Sequence, residues 1–146
     1  MPKEQPNAKK LSVSKLKKKL WALFSEYIRK RDGLKTTGST MWGHCITCGK
    51  RYHYKMLQAG HFIAGRGLGI LFDEQATNAQ CYNCNINLKG NTLVYRRKII
   101  ELHGQGADEA LELKAKRTAK YSVLDYLAMI EQYKLKIKEI DDKNHI

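Results

Sequence analysis

The sequence predicts an α+β protein: a small mixed core tied together by four cysteines, with helices on both sides of it. The cysteines fall as two CxxC pairs, CITC and CYNC, with 32 residues between them. The segment between the pairs is rich in aromatic residues and glycine and is too short for a βαβ unit. At both ends of the chain apolar residues recur at steps of three and four, the period of a helix. A chain of 146 residues that is 42% apolar buries one core. Its regions are therefore parts of one unit: 1–40 a basic arm and N-terminal helix, 41–106 the four-cysteine core, and 107–146 a C-terminal helical extension.

The elements follow in order. SVSKLKKKLWALFSEYIRKRDG reads as a helix, capped by Ser12 or Ser14, with Leu16, Leu20, Leu23, Phe24, Tyr27 and Ile28 on one face and Gly33 as its stop. Residues before Leu11 are polar and lysine-rich and read as a disordered arm. GLKTTGSTMWG reads as a loop into the first cysteine pair. RYHYKMLQAGHF suits a strand or hairpin arm, and AGRGLG a glycine-dense turn. Asp73 and Thr77 are candidate helix starts, and a short helix stopping at Gly90 should include or follow the second pair. VYRRKIIELHG is a helix ending at Gly104, and ADEALELKAKR a shorter one. Ser122 with Asp125 three residues on is a capping-box signature. It opens a last helix whose stripe is Val123, Leu127, Ile130, Tyr133, Ile137 and Ile140. Trp21 and Trp42 read most simply as core.

The cysteines are all accounted for by the two pairs, Cys45 with Cys48 and Cys81 with Cys84. A disulfide framework needs an oxidising compartment, yet MPKEQPNAKK has neither the apolar stretch nor the cleavage site of an export signal. Zinc is the better reading, because each CxxC turn supplies two thiolates and the ion ties two distant knuckles together. A redox CxxC is the rival. Four thiolates close the coordination sphere, so this zinc is structural and any chemistry lies elsewhere.

Charge points to the partner. Lys and Arg number 27 against 14 Asp and Glu, a formal +13. Residues 1–40 hold 11 bases and 3 acids, residues 41–106 hold 8 and 3, and residues 107–146 hold 8 and 8. The first two thirds face a polyanion, and nucleic acid is the commonest one with this footprint. The neutral last helix suits protein packing. With no apolar run long enough to span a bilayer, the expectation is a soluble cytoplasmic protein without a membrane partner.

The order of the parts adds more than any one of them: CxxC, a strand ending in Gly60–His61, a glycine-rich turn, Asn78, then CYNCN with Asn85, and Lys89 four residues later. This order resembles the HNH, or ββα-metal, nuclease superfamily in its zinc-knuckle form, over residues 42–91. The strings QAGHF, LKGN and YRRKIIELHG, preceded by YIRKRDG, resemble the NinG family of phage lambda, from about Leu16 to the last helix. The family resemblance implies a phage-encoded endonuclease of the bacterial host cytoplasm. Its substrates would be branched recombination intermediates, Holliday junctions and D-loops.

By that resemblance His61 is the general base, Asn78 the central Asn that orients the loop or the base, and Asn85 a ligand of a catalytic Mg2+ or Mn2+ ion. A neutral imidazole suits such a base, since its unperturbed pKa is about 6.5, and oxygen ligands suit a hard divalent ion. Most superfamily members carry a metal-binding Asp or His just before the base, but here Gly60 stands there. Gln58, Asp73, Glu74 and Asn87 are candidates to complete the shell. Lys17, Lys18, Lys19, Arg66, Lys89, Arg96 and Arg97 are candidate DNA contacts.

Plainer readings stand beside these. A lone histidine on an apolar strand is more often a packed side chain, Asn85 can cap a helix, and a lysine run is usually a solvated face. His44, His53 and His103 read as surface or helix-end residues, and Asp32 as a helix-end turn residue. A zinc-stabilised DNA-binding protein without catalysis is the main alternative, and a basic RNA-associated zinc protein a third. Two cuts at a symmetric junction call for a twofold protein, which makes the stripe of the last helix a candidate homodimer surface.

Overall fold

The structure, a computed structural model, describes residues 12–65 and 67–144. The basic arm with Lys9 and Lys10, and Arg66 of the glycine-dense turn, lie outside the described residues.

Helix α1 spans Val13–Thr37. Ser12 is its cap, the hydroxyl accepting from the Lys15 N–H at 3.1 Å. Leu16, Leu20, Phe24 and Ile28, each four apart, form its buried face. The helix passes through Gly33, its expected stop, and ends a turn later at Gly38 (φ 81°), whose N–H bonds to the Leu34 carbonyl. Gly33 serves a different purpose. The chain folds back over it, and a β-carbon there would stand 2.6 Å from the Ser39 carbonyl oxygen and 2.8 Å from that of Trp42.

Two antiparallel ladders follow. Strands β1 (Trp42–His44) and β2 (Arg51–His53) pair as a hairpin with the first CxxC at its tip. A 3-10 turn at Tyr54–Met56 leads into β3 (Leu57–His61), which pairs with β4 (Thr77–Cys81) so that Gly60 faces Asn78 and His61 faces Thr77. The Ile46 N–H donates to the Ala79 carbonyl at 2.9 Å and joins the hairpin tip to β4.

Thr77 is thus a strand residue rather than a helix start. All five residues of β4 are buried, and TNAQC can be so because its polar side chains find partners inside: Thr77 on the Asp73 carbonyl, Asn78 on Tyr95, Gln80 on Thr47 and Gly90. Asp73 starts no helix either. Its carboxylate accepts from the N–H groups of Gln75 and Ala76 and shapes the turn before β4.

A π-helical turn, Asn83–Asn87, carries Cys84. Helix α2 (Thr92–His103) ends at Gly104 as expected, α3 spans Ala107–Ala115, and α4 spans Val123–Lys143 behind a complete Ser122–Asp125 capping box. None of the described helices is long and apolar enough to cross a membrane.

Helix α4 lies along α1 in the same direction: Tyr133 meets Phe24 and Tyr27 edge-on, and Asp141 accepts from Lys30 further along. Tyr126, Ile130 and Tyr133 join Leu16, Leu20, Phe24 and Ile28 in one core, with Val123 and Leu127 packed against it, and Ile137 and Ile140 are buried as well. The stripe put forward as a homodimer surface is covered within the chain, which removes the reason for offering it to a second copy. Trp42, expected in the core, is 38% exposed and lies under the Arg51 guanidinium. Asp32, expected in a turn, is buried and accepts from the Ala79 N–H at 2.7 Å.

Candidate functional site

The two knuckles converge. The ligand atoms of Cys45, Cys48, Cys81 and Cys84 all lie within 4.8 Å of one another, and the Cys48 and Cys81 sulfurs are 3.8 Å apart. A tetrahedral ion at the usual Zn–S distance of about 2.3 Å requires sulfurs about 3.8 Å apart. Each CxxC turn also aims an N–H at its first sulfur, Cys48 at Cys45 and Cys84 at Cys81.

The electrostatics are those of a cation site. Burial would raise Cys45, but the Cys48 N–H and the Thr47 hydroxyl outweigh it and bring that thiol down to about 6. Burial and the neighbouring Cys45 and Cys81 sulfurs push Cys48 up to about 12. Four thiolates at this spacing repel one another, and a bound dication is what lets them ionise together. The cluster can hold a metal ion such as zinc.

On one side of this frame, strand β3, the π-helical turn and α1 enclose a cavity of about 380 Å³, walled by Trp21, His61, Asn85, Lys89, Gly90 and Thr92. His61 ends β3. Its Nε2 lies 2.9 Å from the Leu71 carbonyl oxygen. A carbonyl only accepts, so Nε2 carries a proton and donates to it. Trp21 stacks on the imidazole, ring centroids 5.2 Å apart and planes inclined by 21°. Asn85 donates through Nδ2 to the Gln58 Oε1 at 2.7 Å, which leaves its own amide oxygen as an acceptor.

A larger cavity of about 500 Å³ lies against Lys35, His44, Cys48 and Lys98. Its size does not make it the better site. Asp32 and Glu101 also line it, but Asp32 is taken up by Arg31 and the Ala79 N–H, Glu101 pairs with Lys98, and His44 bonds the Gly49 carbonyl of its own hairpin.

Asn78 does not face the cavity of His61. It is buried behind β3, donating to the Tyr95 hydroxyl at 3.2 Å and accepting from Arg31 at 3.3 Å. Tyr95, fully buried, donates to the Gly60 carbonyl at 2.6 Å. Burial pushes the Tyr95 phenol far above its ordinary value and keeps it a neutral donor.

The structure thus brings together His61, Asn85 and Lys89, and of the candidate shell residues it adds only Gln58. Asp73 is held by Lys114, Glu74 by Tyr133 and Lys136, and Asn87 by Asn83. Lys17 is half-buried, and Lys18 and Lys19 are exposed, on the same half of α1 as Trp21. Arg97 is exposed, but Arg96 is taken up by Asp108 at 2.6 Å and Glu112 at 3.0 Å, a clasp between α2 and α3. Its charge is answered inside the chain by these two carboxylates. Trp21, Arg31 and Tyr95 went unremarked as site residues because each sits on an ordinary amphipathic helix pattern. The only signal was a tryptophan close behind a lysine run, with Leu20 between Lys19 and Trp21.

This geometry defines a small α+β protein built around a four-cysteine cluster that could hold a metal ion. The chain belongs to the NinG family: its residues 3–143 match the family described as Bacteriophage Lambda NinG protein. It is 30% identical to Protein ninG of Salmonella phage P22 over 99 residues, 67% of this chain and 48% of that protein. Against Protein ninG of Escherichia phage 933W it is 30% identical over 97 residues, 66% of this chain and 47% of that one. The chain spans about half the length of these relatives. No solved structure matches it.

Proposed function

We propose that the chain is a metal-dependent HNH-type endonuclease that cuts branched DNA, such as Holliday junctions and D-loops, during phage recombination in the host cytoplasm. The observation that carries this reading is the pairing of His61, tautomer set by Leu71, with Asn85 in one cavity. The lone pair on Nδ1 takes a proton from water, whose oxygen then attacks the phosphorus as the bond to the leaving oxygen breaks. Leu71 keeps the ring from turning and stabilises the imidazolium that forms. Lys89 on the cavity wall, with Lys18 and Lys19 on α1, engages backbone phosphates. A divalent ion, Mg2+ or Mn2+, held by the Asn85 amide oxygen would stabilise charge on the phosphate. Zinc in the four-cysteine cluster would hold β1, β2 and β4 in place. The resemblance to recombination endonucleases supports branched DNA as substrate.

A second reading, a DNA-binding protein without catalysis, is favoured by Gly60, which offers no side-chain ligand. One experiment separates the two: nicking of a four-way junction in Mg2+ or Mn2+ by wild type and by His61→Ala. Loss of a general base should slow nicking by roughly 10²- to 10⁴-fold, with junction affinity in Ca2+ and zinc content unchanged. Absence of nicking by the wild type, or equal nicking by both, would leave the binding reading.

A further inference from the structure

Two structural links meet at His61, and both lead back to α1. The first runs through the segment before β4. Arg31 donates to the carbonyls of Glu74 at 2.8 Å and Thr77 at 2.9 Å. That segment begins at Leu71, whose carbonyl takes the His61 proton. The second runs beneath β3. Arg31 donates to the Asn78 amide oxygen, Asn78 to the Tyr95 oxygen, and Tyr95 to the carbonyl of Gly60, the peptide directly before His61. Asp32 holds the guanidinium from behind at 2.9 Å.

We infer that Tyr95 is a positioning residue for His61, acting with Arg31 through Asn78 to fix the Gly60–His61 peptide that sets where the imidazole stands. This rests on the nuclease reading above. The argument is one of degrees of freedom. A glycine before the base leaves the backbone at that point with the widest conformational range of any residue, on the last two residues of a strand. In place of a side chain at position 60, the phenol clamps the backbone from below with a 2.6 Å bond. Tyr95 is buried and touches no cavity of the site, so it does not contact substrate.

The chain contains its own control. Tyr126 is the other fully buried tyrosine, but its hydroxyl has no hydrogen-bond partner among the described residues. Tyr95→Phe and Tyr126→Phe therefore each remove one buried oxygen, and only the first removes a link to His61.

The test compares both variants with wild type in two measurements on the full chain. The first is steady-state nicking of a four-way junction. Tyr95→Phe should lower kcat roughly ten- to a hundred-fold, as sub-ångström to ångström misplacement of a reacting group does, with KM and zinc content unchanged, and Tyr126→Phe should match wild type. The second is the imidazole 1H–15N correlation spectrum of His61, which reports its tautomer and surroundings directly. Tyr95→Phe should shift the His61 signals away from the Nε2–H pattern of wild type, and Tyr126→Phe should not. Unmoved His61 signals, an unchanged kcat, or parallel losses in the two variants would overturn the inference. If wild type does not nick, the nuclease reading fails, and the His61 spectra alone decide the positioning role.

Discussion

Gly60 and Gln80 approach so closely on neighbouring strands that a β-carbon on Gly60 would stand 2.9 Å from the Gln80 β-carbon and overlap its amide oxygen. Gln80 has no room to yield. It is fully buried, and its Nε2 is held by Thr47 at 3.1 Å and the Gly90 carbonyl at 2.9 Å. The residue before His61 is therefore a glycine for packing, and restoring a superfamily-like acid there works against the fold. Gly60→Asp should destabilise the protein by about 1–3 kcal/mol, the usual cost of overpacking, with added desolvation of the carboxylate, and should not raise nicking. Chemical denaturation and the junction assay together check this.

The four-cysteine cluster joins the β1–β2 hairpin to β4. Cys48→Ser or Cys81→Ser should lose bound zinc and loosen the middle of the chain, because binding energy at such a site is folding energy. Metal analysis with near-ultraviolet circular dichroism tests it. A purified wild type without metal, or a variant with an unchanged spectrum, would remove zinc from the account.

Neighbouring arginines on α2 should behave oppositely. Arg96 hydrogen-bonds Asp108 and Glu112 and holds both carboxyls below their ordinary range, so Arg96→Gln should lower the melting temperature slightly and leave DNA affinity alone. Arg97, exposed, should do the reverse. Arg97→Gln is expected to weaken binding across sequences and to reduce the salt slope by about one.

Glu74 links the turn before β4 to α4 through Tyr133 and Lys136, both at 2.7 Å. Burial would raise its carboxyl, but the bonds from Lys136 and Tyr133 win and hold it below the ordinary 4.5. A depressed folded value means stability present above 4.5 and lost as pH falls through the lower folded value. Glu74→Gln should accordingly melt below wild type at neutral pH, with the gap closing only as pH drops under 4.5. A gap independent of pH in thermal melts would show that the carboxylate charge contributes nothing.

The parts written in local chemistry were legible in the sequence: the capping box at Ser122, the helix stop at Gly104, the paired knuckles, and the ordering of His61 and Asn85 about them. What was hidden depends on distant neighbours. Gly33 reads as a stop by composition but is required by the chain folding back across it. Thr77 looks like a cap because nothing nearby shows that β4 is buried throughout. Arg96 looks like a phosphate contact until α3 brings Asp108 and Glu112 to it. The stripe of α4 could equally have met another copy, and only the fold shows it lying against the facing stripe of α1.

That last pairing governs how the chain is born. The apolar face of α1 leaves the ribosome long before α4, which covers it, since residues 38–122 lie between the two helices. At a synthesis rate of about 5–20 residues per second, Leu16, Leu20, Phe24 and Ile28 wait several seconds for Tyr126, Ile130 and Tyr133. During that interval, of the buried residues in this core, only Ala59, Leu71 and Phe72, made in between, are there to cover part of that face, and α4 closes the remainder over it.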